Sequence, residues 1–313
     1  MMCLEPWKYV SCPDGVVERR VTVKALKPGR PISIIQLTDM HFNYCNEQDM
    51  AEADPVLMST YENRIWLRDG SSLENAQRCL ERAKSADALV ITGDTLDYLS
   101  HGCLEMAKKH VFEAFPDAMV ALGNHEPVRK MQGVVPENTS LESRIEILEK
   151  NWLHDIYYSS KIIADRVMLI QMDDCASPEG FWDRQVEPLK RDIELARERE
   201  LAVMIFFHVP IATENPEFAD FEAIMIGDGN AAHHRNLMDR GVSGRWSEAS
   251  GKVCEIIRNS ADVIKGCFCG DLHNDFYCEI LAKTKDGEDA IIPQYVLMGT
   301  PYGKGHVMKI TVE

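Results

Sequence analysis

A chain of 313 residues, 45% hydrophobic and 27% charged, can bury a large core and is too evenly mixed to be disordered. Its 50 acidic and 34 basic side chains give a formal net charge of −16, which argues against a nucleic-acid binder or a ligand of anionic membranes. A phosphorylated substrate stays possible, because bound metal ions invert the local field.

The ten cysteines are scattered, with no C-x-x-C pair, so no short disulfide framework is expected. Cys267 and Cys269 stand two apart in an apolar run, share one face of a strand, and read as packing residues in a reducing compartment. The opening M-M-C-L-E-P-W-K-Y-V has no basic segment ahead of an apolar core, so no signal peptide is expected. No run approaches the roughly 20 apolar residues that span a membrane. A soluble, cytoplasmic protein follows as the expectation.

Residues 1–31 read as an N-terminal extension with one edge strand, V-V-E-R-R-V-T-V from Val16. Ile32, Ile34, Ile35 and Leu37 then mark a buried strand, with Asp39 and His41 directly beyond it. Residues 43–69 are polar without a clear period and are taken as an excursion over the sheet edge. Leu73, Ala76, Leu80 and Ala83 recur at three and four, predicting an amphipathic helix over 72–85. In A-L-V-I-T-G-D-T-L-D, from Ala88, an unbroken apolar run meets Gly93 and Asp94, as in a buried strand of a parallel or mixed sheet. Gly93 permits a sharp turn, and Asp94 is presented at the carboxyl end, where open α/β sheets bind ligands. Taken alone, Asp94 reads as a cap.

Residues 103–115 predict a helix, and A-M-V-A-L, from Ala118, a third buried strand running into Gly123, Asn124, His125 and Glu126. Leu141, Ile145, Leu148 and Trp152 mark another helix. Strands near 157–163 and 167–172 end at Asp173 and Asp174, which read as capping or turn residues. Val186, Leu189, Ile193 and Ala196 form the clearest helical stripe, with a charged solvent face. L-A-V-M-I-F-F, from Leu201, ends at His208. Residues 211–246 form a long loop region placed over the site, followed by a helix near 247–259. D-V-I-K-G-C-F-C-G ends at Asp271 and His273, and strands near 277–283, 289–298 and 306–312 complete a single domain, 1–313.

Five strands thus each deliver polar residues just beyond their ends: Asp39 and His41, Asp94, Asn124 and His125, His208, and Asp271 and His273. Capping alone does not account for all five. Imidazole and carboxylate together suit zinc, iron or manganese. Clustered acids would repel one another without such ions, and a metal pair can clamp a phosphoryl group and generate hydroxide.

These blocks resemble the calcineurin-like metallophosphoesterase superfamily, whose pattern is D-x-H, G-D-x-x-[DN], G-N-H-[DE], a lone His after a strand, and G-H-x-H. The chain carries D-M-H, G-D-T-L-D, G-N-H-E, F-H-V-P and G-D-L-H between Ile32 and His273. T-D-M-H-F, G-D-L-H-N-D-F and the late G-T-P-Y-G-K-G-H are similar to a purple-acid-phosphatase-related branch of fungi and plants. The resemblance implies an α/β, four-layer α/β/β/α sandwich with two mixed β-sheets and a metal site at the carboxyl ends of strands. It implies one metal on Asp39, His41, Asp94 and His273, and a second on Asp94, Asn124, His208 and Asp271. His125 would bind no metal and would assist the leaving group, while Asp97 and Glu126 would orient histidines. The implied reaction is hydrolysis of a phosphate monoester or diester by a metal-bridged hydroxide, with two ions drawn from Mn, Fe, Zn and Mg.

One position departs from the pattern. Asp271 stands where the family has His; a carboxylate favours manganese, magnesium or iron over zinc, and the two metals are expected to bind unequally. His233, His234 and Arg235 are candidates for gripping substrate, since Arg and His pair with phosphate. His306 and Tyr302 could close the pocket, although a strand-start role suits His306 better. His101, His110 and His154 read as surface or packing residues. The acidic balance and the lack of a basic aromatic groove disfavour a nuclease of the same superfamily. The retained ligands disfavour a non-catalytic scaffold.

Overall fold

The computed structural model describes residues 7–52, 55–68, 72–127, 140–177, 179–213, 215–218 and 247–313. Two six-stranded mixed sheets form the centre. The first contains β1 (Lys8–Ser11), β2 (Val17–Val23), β3 (Ile32–Leu37), β4 (Ala88–Thr92), β5 (Met119–Ala121) and β12 (His306–Val312), in the order β1-β2-β12-β3-β4-β5. The second contains β6 (Tyr158–Ile163), β7 (Val167–Met172), β8 (Ala202–Phe206), β9 (Ile264–Cys269), β10 (Phe276–Lys283) and β11 (Asp289–Val296), in the order β10-β11-β9-β8-β7-β6.

Three apolar clusters define four layers. Between the sheets, Ile32, Ile34, Val90 and Met308 meet Leu169, Met204, Phe206 and Phe268. Outside the first sheet, Ile35, Leu37, Leu89 and Ile91 pack on α4 (Ser72–Ala83), α5 (His101–Ala107) and α6 (Leu141–Asn151). Outside the second, Ile170, Val203 and Ile205 pack on α7 (Asp183–Glu198) and α8 (Glu248–Arg258). Strands β4 and β8 are buried along their whole length, which is why they lack polar alternation. Cys267 and Cys269 both pack toward the helices of the second sheet, as their spacing implies.

Two expectations are corrected. V-V-E-R-R-V-T-V does not form an edge: β2 lies between β1 and the C-terminal β12, pairing in parallel from Val17↔His306 to Val23↔Val312. The periodless stretch 43–69 holds three short helices, α1 (Glu47–Glu52), α2 (Pro55–Asn63) and α3 (Ile65–Arg68). Helices of four to nine residues repeat too few turns to establish a period. The helix expected over 103–115 begins at His101 and passes into a π-turn at Lys108–Phe112.

β3, β4 and β5 run parallel, as do β7, β8, β9 and β11. Gln36 ties the sheets together, its Nε2 donating to Thr92 Oγ1 and to Cys269 O at 3.0 Å each. A second tie is buried Arg19 on β2, which pairs with Asp275 ahead of β10 and donates through Nη1 to His306 Nδ1 at 2.6 Å. His306 must be neutral to accept that bond. Burial, reinforced by Arg19, pushes its pKa down from 6.5 to about 4. The unfolded chain therefore binds the extra proton first. The stability from this network is complete above about pH 6.5 and is lost as pH falls toward about 4. Chemical denaturation across that window is expected to show a decline that His306→Gln flattens.

Candidate metal centre

The loops that leave β3, β4 and β5 are bonded to one another. Asp39 N donates to Gly93 O at 3.0 Å and His41 N to Asp94 O at 2.9 Å. Glycine is required twice here. Gly93 has φ +90°, and a Cβ on it would run into His208 Nδ1; one on Gly123 would overlap Asp94 Oδ1. Left-handed backbone is concentrated in the same place. Among the described residues, Asp39, His41, Asp94, Asp271 and His273 account for five of the eight non-glycine residues with positive φ. Strain of this kind persists only where the surrounding structure over-determines the backbone, and it clusters at functional sites.

The side chains form two clusters. Ligand atoms of Asp39, His41, Asp94 and His273 lie within 4.8 Å of one another. His41 Nε2 and His273 Nε2 are 3.2 Å apart, and His273 Nε2 is 3.1 Å from Asp39 Oδ1. Across Asp94, His208 Nε2 lies 3.5 Å from Asp94 Oδ1 and 3.6 Å from Asp271 Oδ1. Asp94 turns its other oxygen to the first cluster, with Oδ2 3.7 Å from His41 Nε2. Asn124 follows on the β5 loop, with a buried Oδ1.

The imidazoles are set by acceptors behind them. His208 Nδ1 donates to Thr92 O at 2.7 Å, and His125 Nδ1 to Asp97 O at 2.7 Å. A carbonyl only accepts, so Nδ1 carries the hydrogen and Nε2 faces the site. His41 Nδ1 lies 3.2 Å from Asp97 Oδ1, and His273 Nδ1 2.7 Å from Tyr302 Oη. Asp97 thus stands beside the His41 ring, although His41 Nδ1 makes no hydrogen bond of good geometry. The charge of Asp97 is balanced by Arg64, whose Nε donates to Oδ2 at 2.6 Å, and Asn43 bonds the same oxygen. Of the triad His41, Asp97 and His125, Asp97 and His125 Nδ1 are engaged by protein partners.

The donor set fits metal ions. Asp39 Oδ1, Asn124 Oδ1, His208 Nε2 and Asp271 Oδ2 are buried without a hydrogen-bond partner. Orphaned polar atoms of this kind are costly; Asp39 Oδ1 lies in the first cluster, and His208 Nε2 beside Asp271 in the second, a donor set that cations would satisfy. Burial works against ionisation of Asp94, but His125, His208 and His41 hold its carboxyl well below the usual range. Burial pushes Asp271 up to about 6, with Asp39 and Asp94 reinforcing the rise and His208 opposing it. A cation beside Asp271 reverses that shift.

Glu126 corrects the sequence reading. Among the described residues its carboxylate bonds backbone rather than a histidine ring, accepting from Leu96 N at 2.8 Å and Gly123 N at 2.7 Å, which locks the β4 and β5 loops together. Asp174, read as a turn residue, instead holds the His208 loop, accepting from His208 N at 3.2 Å and Val209 N at 2.9 Å. Asp173 does serve a turn, accepting from Cys175 N and Ala176 N. His306 sits in the Arg19 network, and Tyr302 joins the centre through His273. His233, His234 and Arg235, with most of the 211–246 loop region, lie outside the described residues. Arg64 and Asp174 were missed: Arg64 carries no motif, while Asp174 shares the strand-end position of the ligands.

Residues 32–225 match the family model described as calcineurin-like phosphoesterase. No curated protein sequence matches the chain. Among solved structures, a dimetal phosphatase from Danio rerio is similar at 13% identity and TM-score 0.51, over 90% of this chain and 98% of that one. A purple acid phosphatase from yellow lupin (Lupinus luteus) aligns at 11% identity and TM-score 0.46, over 96% of this chain and 48% of that one. The Danio rerio likeness bears on the fold: two mixed sheets flanked by helices. No helix among the described residues is long and apolar enough to cross a membrane.

Proposed function

The chain belongs to the calcineurin-like phosphoesterase family, a family of ester-bond hydrolases, and from that premise we propose that it hydrolyses a small phosphorylated substrate at a two-metal centre. The ligands are Asp39, His41, Asp94 and His273 on one side, and Asp94, Asn124, His208 and Asp271 on the other. The observation that carries this reading is the set of buried atoms without a hydrogen-bond partner, Asp39 Oδ1, Asn124 Oδ1, His208 Nε2 and Asp271 Oδ2, together with the placing of His41 Nε2 and His208 Nε2 near different oxygens of Asp94. Bound ions there supply charge neutralisation, polarisation of phosphoryl oxygens and activation of water.

The chain's own groups do the rest. With Nδ1 fixed on Asp97 O, His125 keeps Nε2 toward the centre, 3.7 Å from Asp94 Oδ2. That nitrogen can carry a proton to the leaving oxygen. Burial works against ionisation of Asp97, but His125, His41 and Arg64 hold its carboxyl well below the usual range, and its Oδ1 stands 3.2 Å from His41 Nδ1. We take 1–313 as one functional unit, a reading supported by β12 lying inside the first sheet and by the loop after β9 carrying Asp271 and His273. Assaying an aryl monophosphate and its bis-aryl diester against Mn, Fe, Zn and Mg tests the reading. Turnover of either ester that requires added metal supports it, and no metal-dependent turnover of either overturns it.

The two halves of the centre differ. Asp94, His208 and Asp271 do not form so compact a group as the first cluster among the described residues, and Asp271 is a harder ligand than imidazole. Manganese or iron is favoured at that position. Chelator titration is expected to strip one ion well before the other. Simultaneous loss of both counts against this.

A further inference from the structure

Beyond the ligands, a row of rings leads from the first cluster to solvent. His41 and His273 have centroids 5.1 Å apart, His273 and Tyr302 5.5 Å, and Tyr302 and Trp66 6.1 Å. These are contact separations for aromatic pairs. The outermost ring, Trp66, is 44% exposed. Its position is fixed from two residues away, where Arg64 grips the fully buried Asp97 through two nitrogens. A bidentate, charge-assisted pair of this kind is a firm anchor.

Ile65, the neighbour of Trp66 in the chain, is 50% exposed as well. Of the eight large exposed hydrophobics among the described residues, Tyr44, Met50, Ile65 and Trp66 all belong to the segment between the first metal motif and α4.

From the ring row and its anchor we infer that Trp66 and Tyr302 form a platform for the leaving group, and that the substrate class is a phosphate ester carrying a planar ring. The inference rests on the phosphoesterase reading above: the phosphate sits at the metals and the ring lies against Trp66. Trp66 is a specificity-determining residue in this account, and Tyr302 both extends the platform and positions His273.

The test uses the metal-loaded protein and three non-hydrolysable probes: phenylphosphonate, cyclohexylphosphonate and methylphosphonate, titrated by calorimetry. Phenylphosphonate is expected to bind roughly tenfold tighter than the other two, in line with single stacking contacts. Trp66→Ala should erase that preference and leave methylphosphonate affinity unchanged, and Trp66→Phe should retain it. Equal binding of phenyl and cyclohexyl probes, or a preference that survives Trp66→Ala, overturns the platform while leaving the phosphoesterase reading intact. If no probe binds and no ester is hydrolysed, both fall.

Discussion

Replacing Asp94 with asparagine is expected to remove metal and activity together. Among the described residues Asp94 has an oxygen near each cluster, Oδ2 at 3.7 Å from His41 Nε2 and Oδ1 at 3.5 Å from His208 Nε2. Asparagine keeps the volume and one carbonyl oxygen. The 2.9 Å bond from His125 N to Oδ1 can therefore persist, and the fold should survive. What disappears is the negative charge and the second acceptor, and an amide nitrogen cannot replace either at a cation. The loss in kcat/KM is expected to be on the order of 10³-fold, about 4 kcal/mol of transition-state stabilisation. Metal content after gel filtration, measured beside turnover, checks it. Full turnover with both ions retained would show that the bridge is wrongly assigned.

His125→Ala separates proton transfer from metal binding. The ring makes no contribution to either proposed ligand set, and its Nδ1 is engaged by Asp97 O at 2.7 Å. Removing it should leave metal content unchanged while kcat falls by roughly 10²–10⁴ on an alkyl ester, the range of general acid catalysis. An ester with a good leaving group needs less protonation, so the loss there should be smaller. A series of leaving groups makes the comparison quantitative. A uniform loss accompanied by loss of an ion would instead make His125 a ligand.

The candidate centre was legible in the sequence only as five strand ends that carry acids and imidazoles together, since any one of them alone reads as a cap. Asp39, His41, Asp94, His208, Asp271 and His273 each follow an apolar run, and the parallel strands bring those ends together. Long-range pairings were not legible. β2 read as an edge because its partner, β12, lies almost the full chain away. Arg64 read as one more charge in a polar stretch, because its partner Asp97 is 33 residues further on. Glu126 sits beside His125 in the motif, yet its carboxylate reaches backward to Leu96 N and Gly123 N. Adjacency in sequence gave no hint of that direction. Asp174 shows the converse, a strand-end acid that grips the backbone of a ligand loop rather than the site itself.

The central claim is that one carboxylate, Asp94, joins two metal positions. Anomalous diffraction from manganese-loaded crystals tests it most directly. Two peaks are expected, one beside each oxygen of Asp94, with Asp39, His41 and His273 around the first and Asn124, His208 and Asp271 around the second. A single peak, or two peaks that do not share Asp94, would contradict the account.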